Sequence, residues 1–154
     1  MPVSGWALVA AVLSLYPVMS GANRACIEDR HERIASQVEE TSRVYPRVRA
    51  SVLVAVAFSE THLGCDRGEN GGWGAPVDRA HRHTAGTHLH AAAVLARGME
   101  VCAGDELSAV RRFRTGLCDP RRQSSSALVG RVGEAYGRRV LALAARLEGR
   151  VEGH

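Results

Sequence analysis

The sequence has no lysine and few aromatic residues. All 20 basic residues are arginine, and Phe, Trp and Tyr together make up 5% of the chain. The arginines are spread over every segment, and neither interleaved aromatic residues nor a nucleic-acid-binding motif accompanies them, so nucleic acid is not an expected partner. The net charge of +4 still favours contact with polyanions.

Internal repeats and low-complexity tracts are also absent from the chain. Its 154 residues are enough for one domain with a hydrophobic core and too few for two domains of ordinary size. Glycine and proline cluster at a few breaks, while Ala, Val, Leu and Arg fill the intervals, a composition that suits helices better than strands. We therefore predict an all-α fold with a small irregular lobe.

The cysteines show no C-x-x-C spacing of the kind that binds metal or carries redox chemistry. Cys26, Cys65, Cys102 and Cys118 are an even number, which predicts two disulfides in an oxidising compartment. The sequence does not choose among the three pairings that four cysteines allow. Four buried free thiols in a cytosolic protein are the alternative.

The longest N-terminal apolar run, Trp6–Met19, is too short for a comfortable membrane span. Its length and the small residues that follow it, Ser20-Gly21-Ala22, are typical of a secretory signal, although no basic side chain precedes it. We predict that residues 1–22 are a signal peptide or an apolar first helix and that residues 23–154 form the domain. Export to the periplasm or the exterior is the expected location.

Hydrophobic periodicity and helix-stop residues predict five further helices. Almost nothing polar lies between Ser51 and Phe58, so the central helix should be buried all round and end at Gly64. The stretch Asp66–Gly86 contains too many glycines for a regular element and should form a loop lobe over the end of that helix. The predicted helices are Cys26 to about Tyr45, Arg47–Leu63, Thr87–Val101, a helix capped by Asp105 and running through Phe113, and one from about Ala127 or Glu134 to Leu147.

Glu60 is the leading candidate for a catalytic residue. It follows Val56, Ala57 and Phe58 at the point where the apolar helix meets the glycine-rich loop. Apolar surroundings disfavour the charged form of a carboxyl group, which can then donate a proton as the general acid of a glycosidase does. The alternative is a Glu that pairs with an arginine or caps the next turn.

Three motifs in order resemble the soluble lytic transglycosylase family, whose domains have the goose-type lysozyme-like fold. Residues 57–61, Ala-Phe-Ser-Glu-Thr, match the family's helix end with its catalytic Glu. Residues 72–77, Gly-Trp-Gly-Ala-Pro-Val, match the opening of its glycine-rich stretch, and residues 109–116 keep the spacing of its Ala-x-x-x-Tyr-Asn-x-Gly element. The resemblance covers residues from about 26 to 147.

The chain departs from the family's pattern at four positions. Thr61 stands for a Ser, Val77 for the Gln expected to meet substrate, Phe113 for a Tyr near the catalytic acid, and Arg114 for an Asn. The site either tolerates these changes or has lost its activity. Two interpretations therefore stay open, an active enzyme and a catalytically silent binding or assembly module of a cell-envelope or phage machine.

The resemblance implies cleavage of the β-1,4 bond between N-acetylmuramic acid and N-acetylglucosamine in peptidoglycan. Glu60 would act as general acid and then base, and the muramic 6-hydroxyl would give a 1,6-anhydro product without a cofactor. A hydrolase would usually need a second acid, for which Asp66, Glu69 and Asp78 are candidates. The expected partners are glycan strands and secretion, conjugation or phage assembly proteins. The residues expected to bind substrate are Thr61, Trp73, Gly74, Ala75, Phe113 and Arg114.

Two of these side chains have alternative roles. Trp73 is either a platform for a sugar ring or a core residue under the loop. Arg114 would contact a peptide-stem carboxylate or pair with Glu60, and a tight pair would favour the ionised form of Glu60 and weaken it as a proton donor.

Four histidines, His81, His83, His88 and His90, lie beside the glycine-rich stretch. Such a group is able to hold zinc, but His88 and His90 are two residues apart and point to different faces of a helix. We predict polar loop residues here, with some contact to sugar, and no metal site.

Overall fold

The computed structural model describes residues 3–66, 73–74 and 87–153. Predictions at Glu69, Ala75, Val77, Asp78, His81 and His83 lie outside these residues. The described part of the chain contains eight helices and no strand, which confirms the all-α prediction. The helices are α1 Gly5–Leu15, α2 Gly21–Asp29, α3 His31–Val44, α4 Ala50–Thr61, α5 Thr87–Val101, α6 Glu106–Thr115, α7 Pro120–Gln123 and α8 Ala127–Glu152.

Helix α4 lies at the centre of the fold. Every residue from Ser51 to Phe58 is buried, as the sequence predicted, because α1, α3, α5 and α8 all pack against it. Its last turn approaches the surface, where Ser59 is exposed and Glu60 is partly exposed. A buried helix of this kind holds its terminal residues in a fixed position relative to the rest of the core.

The apolar N-terminal run forms α1, which packs against α3, α4 and α8. Leu8, Val9 and Val12 are fully buried in the main core. In this structure the stretch is helical, and its buried face contributes to the core. None of the described helices combines the length and the apolar character that crossing a membrane requires.

Three of the predicted helices have different bounds in the structure. The expected helix from Cys26 to about Tyr45 is two helices, divided at Arg30, and the first begins at Gly21 because the Ser20 side chain caps it. Helix α4 starts at Ala50 and ends at Thr61, before Gly64, because His62 already adopts a left-handed conformation. The last helix, α8, continues to Glu152.

The four cysteines form the two predicted disulfides. Cys26 pairs with Cys65, with Cα atoms 5.8 Å apart, and joins α2 to the segment that follows α4. Cys102 pairs with Cys118, with Cα atoms 5.6 Å apart, and joins the end of α5 to the segment between α6 and α7. The alternative of four free thiols is wrong.

Candidate active site

Glu60 lies in the last turn of α4, and its side chain is 14% exposed. The preceding residues, Ala57 and Phe58, belong to the core, and the next residue, Thr61, is buried again. The carboxyl group is therefore neither sealed in the core nor fully hydrated. A side chain at such a boundary can exchange a proton with a ligand while most of its surface is shielded from water.

Gly74 covers one side of the Glu60 side chain. A Cβ atom at position 74 would lie 2.3 Å from Cβ and 2.5 Å from Cγ of Glu60, and the φ angle of Gly74 is +86°. Both the close approach and the left-handed backbone require glycine at this position. Gly74, one of the few residues of the glycine-rich stretch that the structure describes, thus lies against the end of α4.

Tyr136 brings a hydroxyl group to Glu60 from α8. The residue is 4% exposed, and its hydroxyl has no hydrogen-bond partner of ordinary geometry among the described residues. Burial raises the pKa of Tyr136 well above its usual range, and the nearby Glu60 carboxylate raises that pKa further, while Arg114 and Arg139 lower it. The hydroxyl therefore remains protonated and available as a hydrogen-bond donor beside the acid.

Arg114 approaches Glu60 from the end of α6. Its Nη1 atom lies 3.6 Å from Oε2 of Glu60, and its side chain is 51% exposed. This distance is longer than a hydrogen bond, and the contact uses one nitrogen rather than the two of a bidentate arginine–carboxylate pair. The guanidinium also lies over the ring of Tyr136, with Cζ 5.9 Å from the ring centroid. Arg114 is thus close to the acid without clamping it.

The segment that follows Glu60 is held by an unusual backbone and by cross-links. His62, Leu63 and Gly64 all have left-handed φ angles, of 48°, 59° and 82°. Two consecutive non-glycine residues in this conformation are strained, and such strain tends to occur at functional sites.

Asp66 and the neighbouring disulfide anchor this segment to α2. Asp66 accepts a hydrogen bond from Nδ2 of Asn23 at 2.8 Å and contacts the ring of His62. The His62 hydrogen bond, together with that of Asn23, lowers the pKa of Asp66. Asp66 is therefore committed to local structure, which argues against it as the second acid of a hydrolase.

The structure brings Glu60, Gly74 and Arg114 together, and places the other described candidates around them. Thr61 is buried, and its hydroxyl donates to the carbonyl of Ala57 at 3.2 Å and accepts from the backbone N–H of Gly64 at 2.9 Å. These bonds give Thr61 a role in shaping the end of α4. Phe113 is 4% exposed and belongs to the core cluster.

Trp73 also belongs to the core cluster. It is 3% exposed, and its ring centroid lies 6.0 Å from that of His88. This placement fits a core residue under the loop, the second of the two roles considered for Trp73, because little of either ring face is accessible. Trp73 is adjacent in the chain to Gly74, which packs against Glu60.

The described histidines do not assemble a metal site. Nε2 of His88 lies 2.7 Å from Oε2 of Glu40, which ties α5 to α3. His88 is buried, while His90 is exposed on the same helix. Within residues 3–66, 73–74 and 87–153, no group of three or more His, Cys, Asp or Glu side chains is placed to hold a metal ion.

The site residue that the sequence did not indicate is Tyr136. In the sequence it is one of the apolar residues of the last helix, in register with Val140 and Leu143, and that spacing gives no sign of its contact with Glu60. The family resemblance leads one to expect a hydroxyl group at position 113, where this chain has Phe. In the structure, the hydroxyl group near Glu60 belongs to Tyr136 of α8.

Comparisons with known proteins gave no match, whether against family models, curated proteins or solved structures. The chemistry of the site is therefore inferred from its own residues.

Proposed function

We propose that the protein is a peptidoglycan-cleaving lytic transglycosylase with a lysozyme-like fold, in which Glu60 is the general acid and base. The observation that carries the proposal is the environment of Glu60: a partly exposed carboxyl at the end of a buried helix, with Gly74 packed against its side chain and Tyr136 beside it. The order of the three sequence motifs adds support, and two disulfides fit a periplasmic or extracellular location or a phage particle.

The proposed reaction needs one carboxyl group. Protonated Glu60 donates its proton to the glycosidic oxygen, the bond between that oxygen and the anomeric carbon breaks, and the N-acetylglucosamine side leaves with a free 4-hydroxyl. The Glu60 carboxylate then takes the proton of the muramic 6-hydroxyl, whose oxygen bonds to the anomeric carbon. The product is a 1,6-anhydro sugar, no water is consumed, and Glu60 recovers its proton.

Tyr136 and Gly74 support this chemistry in different ways. The Tyr136 hydroxyl is an electrically neutral donor that stabilises the carboxylate formed after the first proton transfer. The Gly74 backbone limits the positions open to the Glu60 side chain, and such positioning raises the rate of proton transfer. Asp66, the one candidate second acid that the structure describes, is bonded to His62 and Asn23, which supports intramolecular attack over hydrolysis with Asp66.

A test is the incubation of purified protein with cell-wall sacculi, followed by mass spectrometry of the released fragments. The parent protein should give anhydro-ended fragments, and Glu60→Gln should give none, because an amide has nearly the same shape and donates no acidic proton. Glu39→Gln, which changes an exposed carboxyl of α3, is the matched control and should behave as the parent. Fragments without anhydro ends would indicate a hydrolase.

A catalytically silent binding or assembly module is the second candidate. Two observations favour it: Phe113 lacks a hydroxyl, and the guanidinium of Arg114 lies 3.6 Å from Glu60, in the space that a substrate would need beside the acid. In that case the parent protein would release no fragments, yet sacculi would still bind it. If neither the parent nor Glu60→Gln released fragments, and both still bound sacculi, the binding or assembly module would be the correct candidate.

A further inference from the structure

A cleft with a volume of ≈ 620 Å³ opens beside Arg114, on the side of α6 that faces α5. The residues that line this cleft, called the arginine cleft below, are Ala93, Val94, Arg97, Arg112, Phe113, Arg114, Thr115 and Gly116. Its volume lies within the range of small-molecule pockets. Arg114 both lines the cleft and contacts Glu60, so the cleft and the candidate active site share this residue.

The cleft has an apolar floor and a cationic rim. Ala93 and Val94 come from α5 and Phe113 from α6, whereas Arg97, Arg112 and Arg114 supply the charge. No acidic residue is among the described residues that line it. A surface of this kind favours an anionic ligand that also carries small apolar groups.

The three arginines differ in how far they are already neutralised. Arg97 pairs with Glu100 at 3.0 Å on the exposed surface, and Arg114 has its long contact with Glu60. Arg112 is partly exposed, and it forms no ion pair with any other residue that the structure describes. The neighbouring Arg111, by contrast, points the other way and is paired with Glu134 of α8 at 2.8 Å. Arg112 is therefore the cation in the cleft with most capacity to bind an external anion.

We propose that the arginine cleft binds the carboxylates of the peptide stem attached to the muramic acid whose glycosidic bond is broken at Glu60. This inference rests on the proposed function. The stem carries carboxylate groups and small alanine side chains, which match the cationic rim and the apolar floor. The cleft thus selects glycan strands that bear acidic peptides, and Arg112 is the main determinant of that selection.

The test measures binding to sacculi in a Glu60→Gln background, so that the bound glycan is not cut. The two forms compared are intact sacculi and the same sacculi whose carboxylates have been converted to carboxamides with carbodiimide and ammonia. Glu60→Gln should bind the intact form about tenfold more tightly, the order of effect expected for a hydrogen bond to a charged group. Adding Arg112→Gln should remove this difference, and Arg112→Lys should keep part of it.

Arg43→Gln is the matched control because it removes an exposed arginine of α3 that does not line the cleft. It should leave both affinities unchanged. Equal binding of intact and amidated sacculi, or an equal loss in Arg112→Gln and Arg43→Gln, would overturn the proposal and leave the proposed function standing. Failure to bind either form would contradict the proposed function and this inference together. Thermal unfolding of each variant checks that the fold is retained.

Discussion

The backbone of Gly74 packs directly against the side chain of Glu60. The space that a methyl group at position 74 would need is already occupied, since it would stand 2.3 Å from Cβ of Glu60. The contact joins two segments that are separate in the sequence, the end of α4 and the glycine-rich stretch. It explains in physical terms why a glycine follows Trp73, and it makes Gly74 a direct probe of the candidate acid.

Gly74→Ala should reduce cleavage of sacculi by tenfold or more. The added methyl group forces either the Glu60 side chain or the loop to move, and small displacements of a proton donor have large effects on rate. Alanine at a left-handed φ of +86° should also lower the free energy of unfolding by about 1 kcal/mol. The rate of fragment release and the thermal unfolding midpoint measure the two effects.

Gly104→Ala separates these effects. Gly104 has a φ of +79°, but no atom lies within 4 Å of the position of its missing Cβ. This variant should show the same backbone strain and keep the activity of the parent. If Gly104→Ala and Gly74→Ala lost activity equally, the contact between Gly74 and Glu60 would not matter for the reaction.

Tyr136→Phe should lower activity without lowering stability. The buried hydroxyl has no hydrogen-bond partner of ordinary geometry, so its removal should leave the free energy of unfolding unchanged or raise it by up to about 1 kcal/mol. Loss of the donor beside Glu60 should slow cleavage about tenfold or more. Denaturant unfolding and fragment release are measured on the same preparation. Tyr45→Phe, a change at the end of α3, is the control, and unchanged activity in Tyr136→Phe would contradict a role for the hydroxyl.

Local signals in the sequence were sufficient for several helix ends. Thr87–Val101 has the predicted limits, and Asp105 caps α6 by accepting a hydrogen bond from the backbone N–H of Ser108. Both features depend on residues close together in the chain. The end of α4 was not predictable in this way, because His62 and Leu63 carry no marker for the left-handed conformation that they adopt.

Long-range contacts account for what the sequence left open. The pairing of Cys26 with Cys65 depends on how α2 packs beside the end of α4, and four cysteines alone allow three pairings. Tyr136 reaches Glu60 only because α8 packs along α4. Glu60 itself was indicated because its apolar neighbours are adjacent in the sequence.

Stability above pH 10 should depend on Tyr136. Its pKa is raised in the folded protein, chiefly by burial, whereas a tyrosine in the unfolded chain ionises near pH 10. The contribution of Tyr136 to the free energy of unfolding is therefore complete below about pH 10. It is lost as the pH rises above that value, by up to about 1.4 kcal/mol per pH unit.

Denaturant unfolding between pH 9 and pH 11.5 measures this effect. The free energy of unfolding of the parent should fall more steeply with pH than that of Tyr136→Phe, and the two curves should run parallel below pH 9.5. Parallel curves over the whole range would contradict this prediction, because they would mean that the Tyr136 hydroxyl ionises as readily in the folded protein as in the unfolded chain.

The two disulfides should differ in their effect on activity more than in their effect on stability. Closing loops of 39 and 16 residues stabilises a fold by about 4 and about 3 kcal/mol in the chain-entropy model. The double substitution Cys26→Ser with Cys65→Ser removes the anchor of the strained segment that follows Glu60, and cleavage should fall at least tenfold. Cys102→Ser with Cys118→Ser is the matched control. Assays are run at 10 °C, with circular dichroism to check that each variant is folded, so that unfolding is excluded as the cause. Equal activities of the two double variants would mean that the packing of α4 alone positions the acid.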